Sequence, residues 1–441
     1  MVDKKYVQVY DHFRNLITSG SLAKGSRLPS VRRCAEQLGY SGTTVEQAYM
    51  MLAADGYIIS RPRSGFYVTD LFSPERQAGT PKRLPEQQKT AVRYDFASAG
   101  ADRESFRFEV WRRYMRSALR QDIRLLSYGE PQGERDLREV LAQYLEKNRS
   151  VFCSADSIVV GAGTQSLLNI LCPLIPDRKD VILANDFFPQ GQQTFEDYGF
   201  RVRRGSSPAG SAEGAIVYIA PSQLSRRRQA MPVRERAAFL KEAKARGNLI
   251  IEDDYNSEFS YAQRPAPSMQ GLAEGKGVVY MGTFSRLLLP SIRLSYMVLP
   301  EELLPLYRAR AGRYNQTASK AEQIALCQYM RDGNLESQIR KARKRYGQKA
   351  ELICQEIREV FGPASEASPR GAGYLVSFRA GCGLSAEEIL RRAGNAGIAL
   401  RCRPVPGEEE REPEILLYLA AMETERYREA LLSLRSALLS E

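Results

Sequence analysis

Three short segments in the C-terminal part of the chain carry small, acidic or basic residues directly after an apolar run. Segment 161–165 (Gly-Ala-Gly-Thr-Gln) predicts a turn that opens a helix, where backbone N–H groups can bind a phosphate. Segment 251–255 (Ile-Glu-Asp-Asp-Tyr) ends a predicted strand with carboxylates, and segment 282–286 (Gly-Thr-Phe-Ser-Arg) follows another strand, with Arg293 seven residues further on. Plain turns, helix caps and ion pairs use the same residue types, so both the chemical and the structural interpretation stay open.

The elements that must position these segments are apolar runs that alternate with helical patterns across 93–441. This alternation predicts an α/β domain with a doubly wound parallel sheet, in which ligands bind beyond the carboxyl ends of the strands. A long charged helical stretch at about 317–361 begins a smaller α+β part, 317–441. The apolar runs lie at 157–160, 181–184, 215–219, 248–251 and 278–281, and the strands of the smaller part are predicted near 373–378, 398–402 and 415–419.

The scarce residue types exclude several kinds of site. The 441 residues include one histidine, His12, so a Ser-His-Asp site and a His-based metal site are excluded from the main body of the chain. The seven cysteines form no C-x-x-C pair, which is typical of reduced thiols in a cytosolic protein. The net charge of +12 permits an anionic partner, and we expect a cytoplasmic protein because the sequence predicts neither a membrane helix nor a secretory signal.

The first 55 residues predict a helix-turn-helix. An amphipathic helix stops at Gly20, and a second helix is predicted between Ser30 as its N-cap and Gly39 as the glycine that follows its C-terminus. A third helix opens at Ser41. Two short helices joined by a tight turn are the arrangement that places a recognition helix in the major groove of DNA, although small helical domains without any DNA-binding role share it.

Residues 56–68 predict two strands around a basic turn, a "wing". Arg61 and Arg63 at its tip could contact phosphates or a minor groove. The following residues, 69–92, are rich in Pro, Gln, Lys and Glu without a sustained period, which is typical of a linker. The predicted organisation is therefore a DNA-binding domain at 1–68, a linker at 69–92 and a large domain at 93–441.

Residues 5–68 resemble the winged-helix domain of the GntR family, whose pattern L-P-S-x-R-x-L-A-x-x-L-G-V-S-R-x-T-V continues to E-G-x-x-x-x-R-x-G-x-G-x-F-V. One departure is Gly42, where the family usually has arginine, so we expect altered or weaker site recognition without loss of DNA binding. The resemblance implies contacts with double-stranded DNA from Arg32, Thr43, Thr44, Arg61 and Gly65.

The segments of the large domain together resemble the fold type I aminotransferases, which use pyridoxal 5′-phosphate, and the whole chain resembles the MocR-type (GabR-like) transcriptional regulators. The resemblance implies that Asp253 pairs with the pyridinium nitrogen of the cofactor, that Tyr255 lies near its phenolic oxygen and that Phe188 stacks on its ring. It also implies a phosphate cup formed by Gly163, Thr164, Ser285 and Arg293.

The reactive position departs from this family. Its motif is T-F-S-K, whose lysine forms the Schiff base, and here the residue is Arg286. Because a guanidinium stays protonated and has no lone pair for attack on an aldehyde, we expect no catalytic residue, no transamination and at most non-covalent binding of pyridoxal 5′-phosphate. Two further departures, a basic run at 220–228 and Leu416 in place of the arginine that holds a carboxylate, fit either drift or a pocket refitted for a different effector.

These observations predict a DNA-binding transcriptional regulator whose degenerate aminotransferase-like domain forms a homodimer and senses a small molecule of unknown identity, which could be anionic. Two alternatives remain: an enzyme dependent on pyridoxal phosphate, against which Arg286 argues, and a regulator whose second domain is an empty dimerisation domain.

Overall fold

The computed structural model of the chain divides into two compact units, an N-terminal unit (1–88) and a C-terminal unit (89–441). Most of the predicted linker, Arg63 and the basic run from 223 onward lie outside the described residues. The structure describes residues 5–62, 64–69, 92–98, 100–102, 104–184, 188–205, 212–222, 230–255, 257–259, 266–370, 374–403 and 412–439.

The N-terminal unit contains the predicted helices and wing. The Ser30 hydroxyl accepts a hydrogen bond from the Arg33 N–H at 3.3 Å, and Gly39 ends that helix with a positive φ of 70°. The Ser41 hydroxyl caps the next helix by accepting from the Thr44 N–H at 3.2 Å. The elements are α1 (Lys5–Thr18), α2 (Val31–Leu38), α3 (Gly42–Ala54), β1 (Ile58–Arg61) and β2 (Gly65–Val68), with the two strands antiparallel around one small core.

A seven-stranded sheet forms the centre of the C-terminal unit, and all its strands except the mostly exposed edge strand Arg201–Arg204 are buried because helices cover both faces. The order is β4-β10-β9-β8-β7-β5-β6. The strands of this unit before the small subdomain are β3 (Tyr94–Asp95), β4 (Ile158–Gly161), β5 (Asp180–Leu183), β6 (Arg201–Arg204), β7 (Ile216–Ile219), β8 (Leu249–Asp253), β9 (Val278–Thr283) and β10 (Ser295–Val298). The helices are α4 (Phe108–Leu119), α5 (Asp122–Leu125), α6 (Arg135–Arg149), α7 (Thr164–Leu171), α8 (Pro189–Asp197), α9 (Val233–Ala245), α10 (Met269–Leu272) and α11 (Leu304–Arg310).

The expectation of an all-parallel sheet is wrong in one strand. The α/β sandwich and its five predicted strands are present, but β10, which the sequence analysis did not single out, runs antiparallel to both β4 and β9. Ser295 at the start of β10 therefore pairs with Gly161 and Thr283, which end β4 and β9. The reversal returns the connection 284–294 to the same edge of the sheet from which it left.

A smaller α+β subdomain completes the unit. The predicted long helical stretch is two helices, since Gly333 interrupts it with a φ of 69°. The predicted strand at 398–402 is likewise divided between two sheets, because β13 pairs with β3 and β14 pairs with β15. The elements are α12 (Lys320–Arg331), α13 (Asn334–Phe361), β11 (Ser368–Arg370), β12 (Leu375–Phe378), α14 (Ala386–Asn395), β13 (Ile398–Ala399), β14 (Arg401–Arg403), β15 (Glu414–Tyr418) and α15 (Tyr427–Leu439), with the sheet order β11-β12-β15-β14.

The cysteines and the helices bear on two expectations from the sequence, reduced thiols and the lack of a membrane helix. All seven cysteines are free thiols, four of them buried. Within the described residues, the helices are too short or too polar to cross a bilayer.

Candidate functional site

A cavity of 380 Å³ opens where β4, β7, β8 and β9 end and β10 begins. The strand ends bring together the three segments that the sequence singled out, as expected for a doubly wound sheet. All eight residues predicted to bind the cofactor line this cavity. The lining residues are Gly163, Thr164, Gln165, Phe188, Gln190, Tyr218, Ala220, Asp253, Tyr255, Thr283, Ser285, Arg286 and Arg293.

One end of the cavity is a cup with anion-binding character. Thr164 begins α7, so the unpaired N–H groups of that helix lie beside it. Arg293 donates to the Ala162 carbonyl and to the Ser285 hydroxyl, both at 3.4 Å, while Ser285 donates to the Ile292 carbonyl at 3.0 Å. The long Arg293 contacts involve no carboxylate, so its charge is available to an anion.

Gly163 is required by the geometry of this cup. Its φ is 114°, and a Cβ at this position would lie 2.4 Å from a terminal nitrogen of Arg293. A side chain would therefore strain the backbone and displace the guanidinium.

Asp253, the last residue of β8, also lines the cavity. It is buried, and the hydroxyl of Tyr218 donates a short hydrogen bond to its carboxylate. Burial raises the pKa of Asp253 to about 6, against the lowering effect of the Tyr218 hydrogen bond, while Asp254 raises it and Arg286 lowers it. Phe188 stacks on Tyr218 with ring centroids 5.7 Å apart and an interplanar angle of 25°, so it adds an apolar wall.

The neighbouring acids have structural roles. Asp254 forms a buried ion pair with Arg149 at 2.7 Å, and Glu252 accepts the backbone N–H groups of Met269 and Gln270, each at 2.9 Å, at the start of α10. Burial alone would raise the pKa of Asp254, but Arg149 holds it below its usual range. The structural interpretation therefore holds for Asp254 and Glu252, while a chemical role for Asp253 stays a prediction.

Arg286 lies between aromatic rings. The carbon at the centre of its guanidinium is 5.0 Å from the ring centroid of Tyr255 and 5.2 Å from that of Tyr374, within the range of cation–π attraction. Tyr374 immediately precedes β12, so Arg286 connects the large sheet to the small subdomain. Leu416 is buried in β15 and is not among the residues that line the cavity.

The described residues fit pyridoxal 5′-phosphate in part. The cup could hold its phosphate, Phe188 could cover its ring and Asp253 could face its nitrogen. None of the described lining residues is a lysine, so the cavity offers no side-chain amine for a Schiff base. The structure describes no group of acidic, histidine or cysteine side chains suited to a metal ion.

Sequence reasoning missed Tyr218 and Tyr374, and it included Thr283 in segment 282–286 without giving it a role. Tyr218 pairs with Ile251 in the parallel ladder, so it shares a face with Asp253, two residues along. A tyrosine in an otherwise aliphatic buried strand is the signal that could have identified it.

The residues predicted to contact DNA lie on α2, α3 and the wing, where they are exposed or partly exposed. The Arg32 side chain is 93% exposed, with a long contact of 3.4 Å to Glu36. Arg61 lies over the Tyr67 ring at 4.5 Å, and a Cβ at Gly42 would meet no atom within 4 Å. We call Arg32, Thr43, Thr44, Arg61 and Gly65 the reading surface.

Known proteins match both the N-terminal domain and nearly the whole chain. The family of bacterial regulatory proteins called gntR matches residues 5–68. The uncharacterized HTH-type transcriptional regulator YdeL of Bacillus subtilis is 32% identical over 90% of this chain and 88% of its own. The probable rhizopine catabolism regulatory protein MocR of Rhizobium meliloti is 27% identical over 98% of this chain and 93% of its own.

Solved structures show the fold of the second domain. The α-aminoadipate aminotransferase LysN of Thermus thermophilus, complexed with N-(5′-phosphopyridoxyl)-L-leucine, has a TM-score of 0.65 and 23% identity over 79% of this chain and 92% of its own. An archaeal alanine:glyoxylate aminotransferase has a TM-score of 0.67 and 19% identity over 78% and 90% of the two chains. The chain therefore belongs to the MocR family of HTH-type transcriptional regulators, in which a GntR-type DNA-binding domain precedes an aminotransferase-like domain.

Proposed function

We propose that the aminotransferase-like domain of this regulator is a non-catalytic sensor that binds an anionic small molecule without forming a Schiff base. The observation that carries the proposal is Arg286, a side chain that cannot form an imine, in the same cavity as Arg293, Ser285 and the N-terminus of α7, which support binding of an anion. A cavity that had merely drifted would not need Gly163, whose missing side chain makes room for Arg293.

The residues of the cavity have distinct tasks in this proposal. Arg293 and the N-terminus of α7 bind the anion, and Ser285 orients Arg293 through their hydrogen bond. Tyr218 holds Asp253 by donating to its carboxylate. If pyridoxal phosphate were the ligand, it would supply an aldehyde and an electron-withdrawing ring, without a lysine at this position to react with the aldehyde.

Binding of DNA is assigned to the reading surface. Arg32 and Arg61 are exposed and could neutralise phosphates, whereas Thr43 lies exposed in the first turn of α3. The Ser41 hydroxyl lies 3.0 Å from the Thr43 hydroxyl and 2.7 Å from the Thr44 hydroxyl, so both threonines are held in place before any DNA arrives.

A homodimer is part of the same proposal. Leu119, Ile123, Leu126 and Tyr128 form an apolar stretch on and after α4, and Ile123 and Leu126 are 90% and 88% exposed. Exposed apolar stretches of this kind mark interfaces between proteins. We expect light scattering of the full chain to give a dimer mass and Ile123→Glu to shift it toward the monomer, whereas a parent that is monomeric at micromolar concentration would contradict the assignment.

Trapping with borohydride tests the absence of Schiff-base chemistry. The full chain and Arg286→Lys are each incubated with pyridoxal phosphate, reduced and digested for mass spectrometry. We expect no pyridoxyl adduct between residues 251 and 300 of the parent and a weak adduct at position 286 of the variant, because the variant restores the amine. An adduct within the cavity of the parent would contradict the proposal.

Binding of inorganic phosphate tests the cup. We expect phosphate to raise the unfolding temperature of the parent and of Arg308→Gln, an exposed arginine outside the cavity, but not that of Arg293→Gln. Equal shifts in all three proteins would place the anion elsewhere and would favour an empty dimerisation domain.

A further inference from the structure

Arg286 lines the cavity as a cation that forms no direct ion pair with a described residue, although it acts on the Asp253 carboxylate at longer range. Its guanidinium has neither a hydrogen bond nor an ion pair within the part of the chain that the structure describes, and its close neighbours are the rings of Tyr255 and Tyr374. A guanidinium carries five N–H donors in its plane, and aromatic faces do not satisfy donors at that edge. These donors are therefore available to an acceptor in the cavity.

The two tyrosines also restrict the position of this guanidinium. Tyr255 follows β8, whereas Tyr374 precedes β12 and packs on Tyr418, with ring centroids 5.9 Å apart. Because Tyr374 is buried, the ring against Arg286 is itself held by its neighbours. A guanidinium that is positioned before the ligand arrives loses less side-chain entropy on binding a carboxylate.

Arg293 is a second cation with a separate environment. It lies with Gly163 and Ser285 at the cup, whereas Arg286 lies with the tyrosines, and both face the same 380 Å³ cavity. Asp253, the acid that also lines the cavity, is hydrogen-bonded to Tyr218 and forms no ion pair with either arginine. The cavity therefore offers two arginines, each with its own neighbours and neither in an ion pair with a described residue, which suits a ligand with two acidic groups.

We propose that the ligand of this cavity carries two acidic groups, a phosphate or phosphonate held at Arg293 and a carboxylate held by the guanidinium edge of Arg286. The inference rests on the sensor function proposed above and names its ligand class. Arg286 then acts as a specificity residue in place of a reactive amine. The same contact would join the large sheet to the small subdomain, because Tyr374 supports the carboxylate site from the latter.

Paired probes separate the carboxylate from the rest of the ligand. Phosphonoacetate, 3-phosphonopropionate and 4-phosphonobutyrate are titrated into the full chain by calorimetry, each against the alkylphosphonate with the same number of carbons. We expect at least one of the acids to bind about tenfold tighter than its partner, since a charge-assisted pair is worth about that factor. The range of spacers covers different separations of the two acidic groups.

Variants identify the residue that recognises the carboxylate. Arg286→Gln should abolish the preference for the acid over its alkylphosphonate partner, whereas Arg286→Lys should keep part of the preference because it keeps the charge. Arg293→Gln should weaken every probe, and Arg308→Gln should match the parent. Fluorescence of Trp111, the single tryptophan, checks that each variant is folded.

Each result has a distinct consequence. Equal binding of the acid and its alkyl partner by the parent, or a preference that survives in Arg286→Gln, would overturn the two-acid ligand and leave the sensor function intact. Absence of binding by every probe would contradict both proposals, because the cup itself would then be inactive.

Discussion

The reading surface and the cavity hold arginine in different surroundings, and the difference is greatest for Arg286. Arg32 and Arg61 are exposed to solvent on a small domain, where Arg32 has one long contact with Glu36 and Arg61 lies over the single ring of Tyr67. Arg286, by contrast, is half-buried against the rings of Tyr255 and Tyr374, while Arg293 is exposed but lies beside Gly163 and donates to Ser285 at the cup. Exposed arginines are suited to phosphates that approach from many directions, whereas positioned arginines are suited to one ligand of fixed shape.

This contrast separates function from stability. Replacing an exposed arginine should change binding and little else, because surface substitutions away from buried networks cost less than about 0.5 kcal/mol. Replacing a side chain of the cavity changes the packing and electrostatics of the C-terminal unit as well. Buried ionisable groups such as Asp253 are costly to the fold, which is why they mark functional sites.

The largest effect is expected for the reading surface. Arg32→Ala combined with Arg61→Ala should weaken binding to a duplex from the protein's own promoter region by about 100-fold, since each phosphate contact contributes roughly 1–2 kcal/mol at moderate salt. The slope of log affinity against log salt should fall by about two, which titrations by fluorescence anisotropy at several salt concentrations would measure. Arg14→Ala on α1 removes a charge outside the reading surface and serves as the control, and a double variant that binds like Arg14→Ala would show that the surface is misassigned.

The next prediction concerns the stability of the C-terminal unit. We expect a smaller effect there, and it is an increase in the free energy of unfolding. The pKa of Asp253 in the folded protein is about 6 against an ordinary value of 3.8, so the folded state holds the proton more tightly and the charged form costs stability at high pH. Asp253→Asn should therefore raise the free energy of unfolding by about 1–2 kcal/mol at pH 7.5. The gain should diminish as the pH falls through 6 and vanish below about 4.

Denaturation followed by the fluorescence of Trp111 measures this gain, because the single tryptophan is buried in the C-terminal unit and reports on that unit alone. Asp177→Asn makes the same chemical change at an exposed position and should have no comparable effect. A pH-independent gain in Asp253→Asn would mean that packing, and not the charge, is responsible.

The smallest effect is expected at Gly42. Its backbone does not have a positive φ, and its Cβ would meet open space, so Gly42→Arg should fold normally and place a guanidinium in the first turn of α3. DNA affinity should rise by about three- to tenfold through one added phosphate or base contact. Gly42→Gln, without the charge, is the matched control, and an equal rise in both variants would point to helix propensity as the cause.

Local patterns predicted much of this molecule from its sequence. The helix caps at Ser30 and Ser41 depend only on a few neighbouring residues, and the apolar runs of the sheet are long enough to be recognised as strands from the sequence. The three polar segments could be expected to converge because the carboxyl ends of parallel strands share an edge. The roles assigned to their side chains stay predictions until the ligand is known.

The features that the sequence did not predict depend on contacts between segments that are distant in the chain. Nothing in Ser295–Val298 says that this strand runs against its neighbours, since direction follows from the connection before it. Tyr374 and Arg286 are far apart in the chain and meet only because the small subdomain packs where it does. Such contacts follow from tertiary packing, which a pattern of residue types does not specify.

The reversed strand has a consequence for how this protein could be re-engineered. Because β10 returns at the edge where β9 ended, the connection 284–294 delivers Ser285, Arg286 and Arg293 to the cavity as one continuous piece of chain. Exchange of that single connection with the equivalent loop of a relative would replace Ser285 and both arginines of the described lining at once and leave the strands on either side intact. Ligand preference could thus diverge among relatives through substitutions in this one short connection, while the sheet on which it is mounted stays the same.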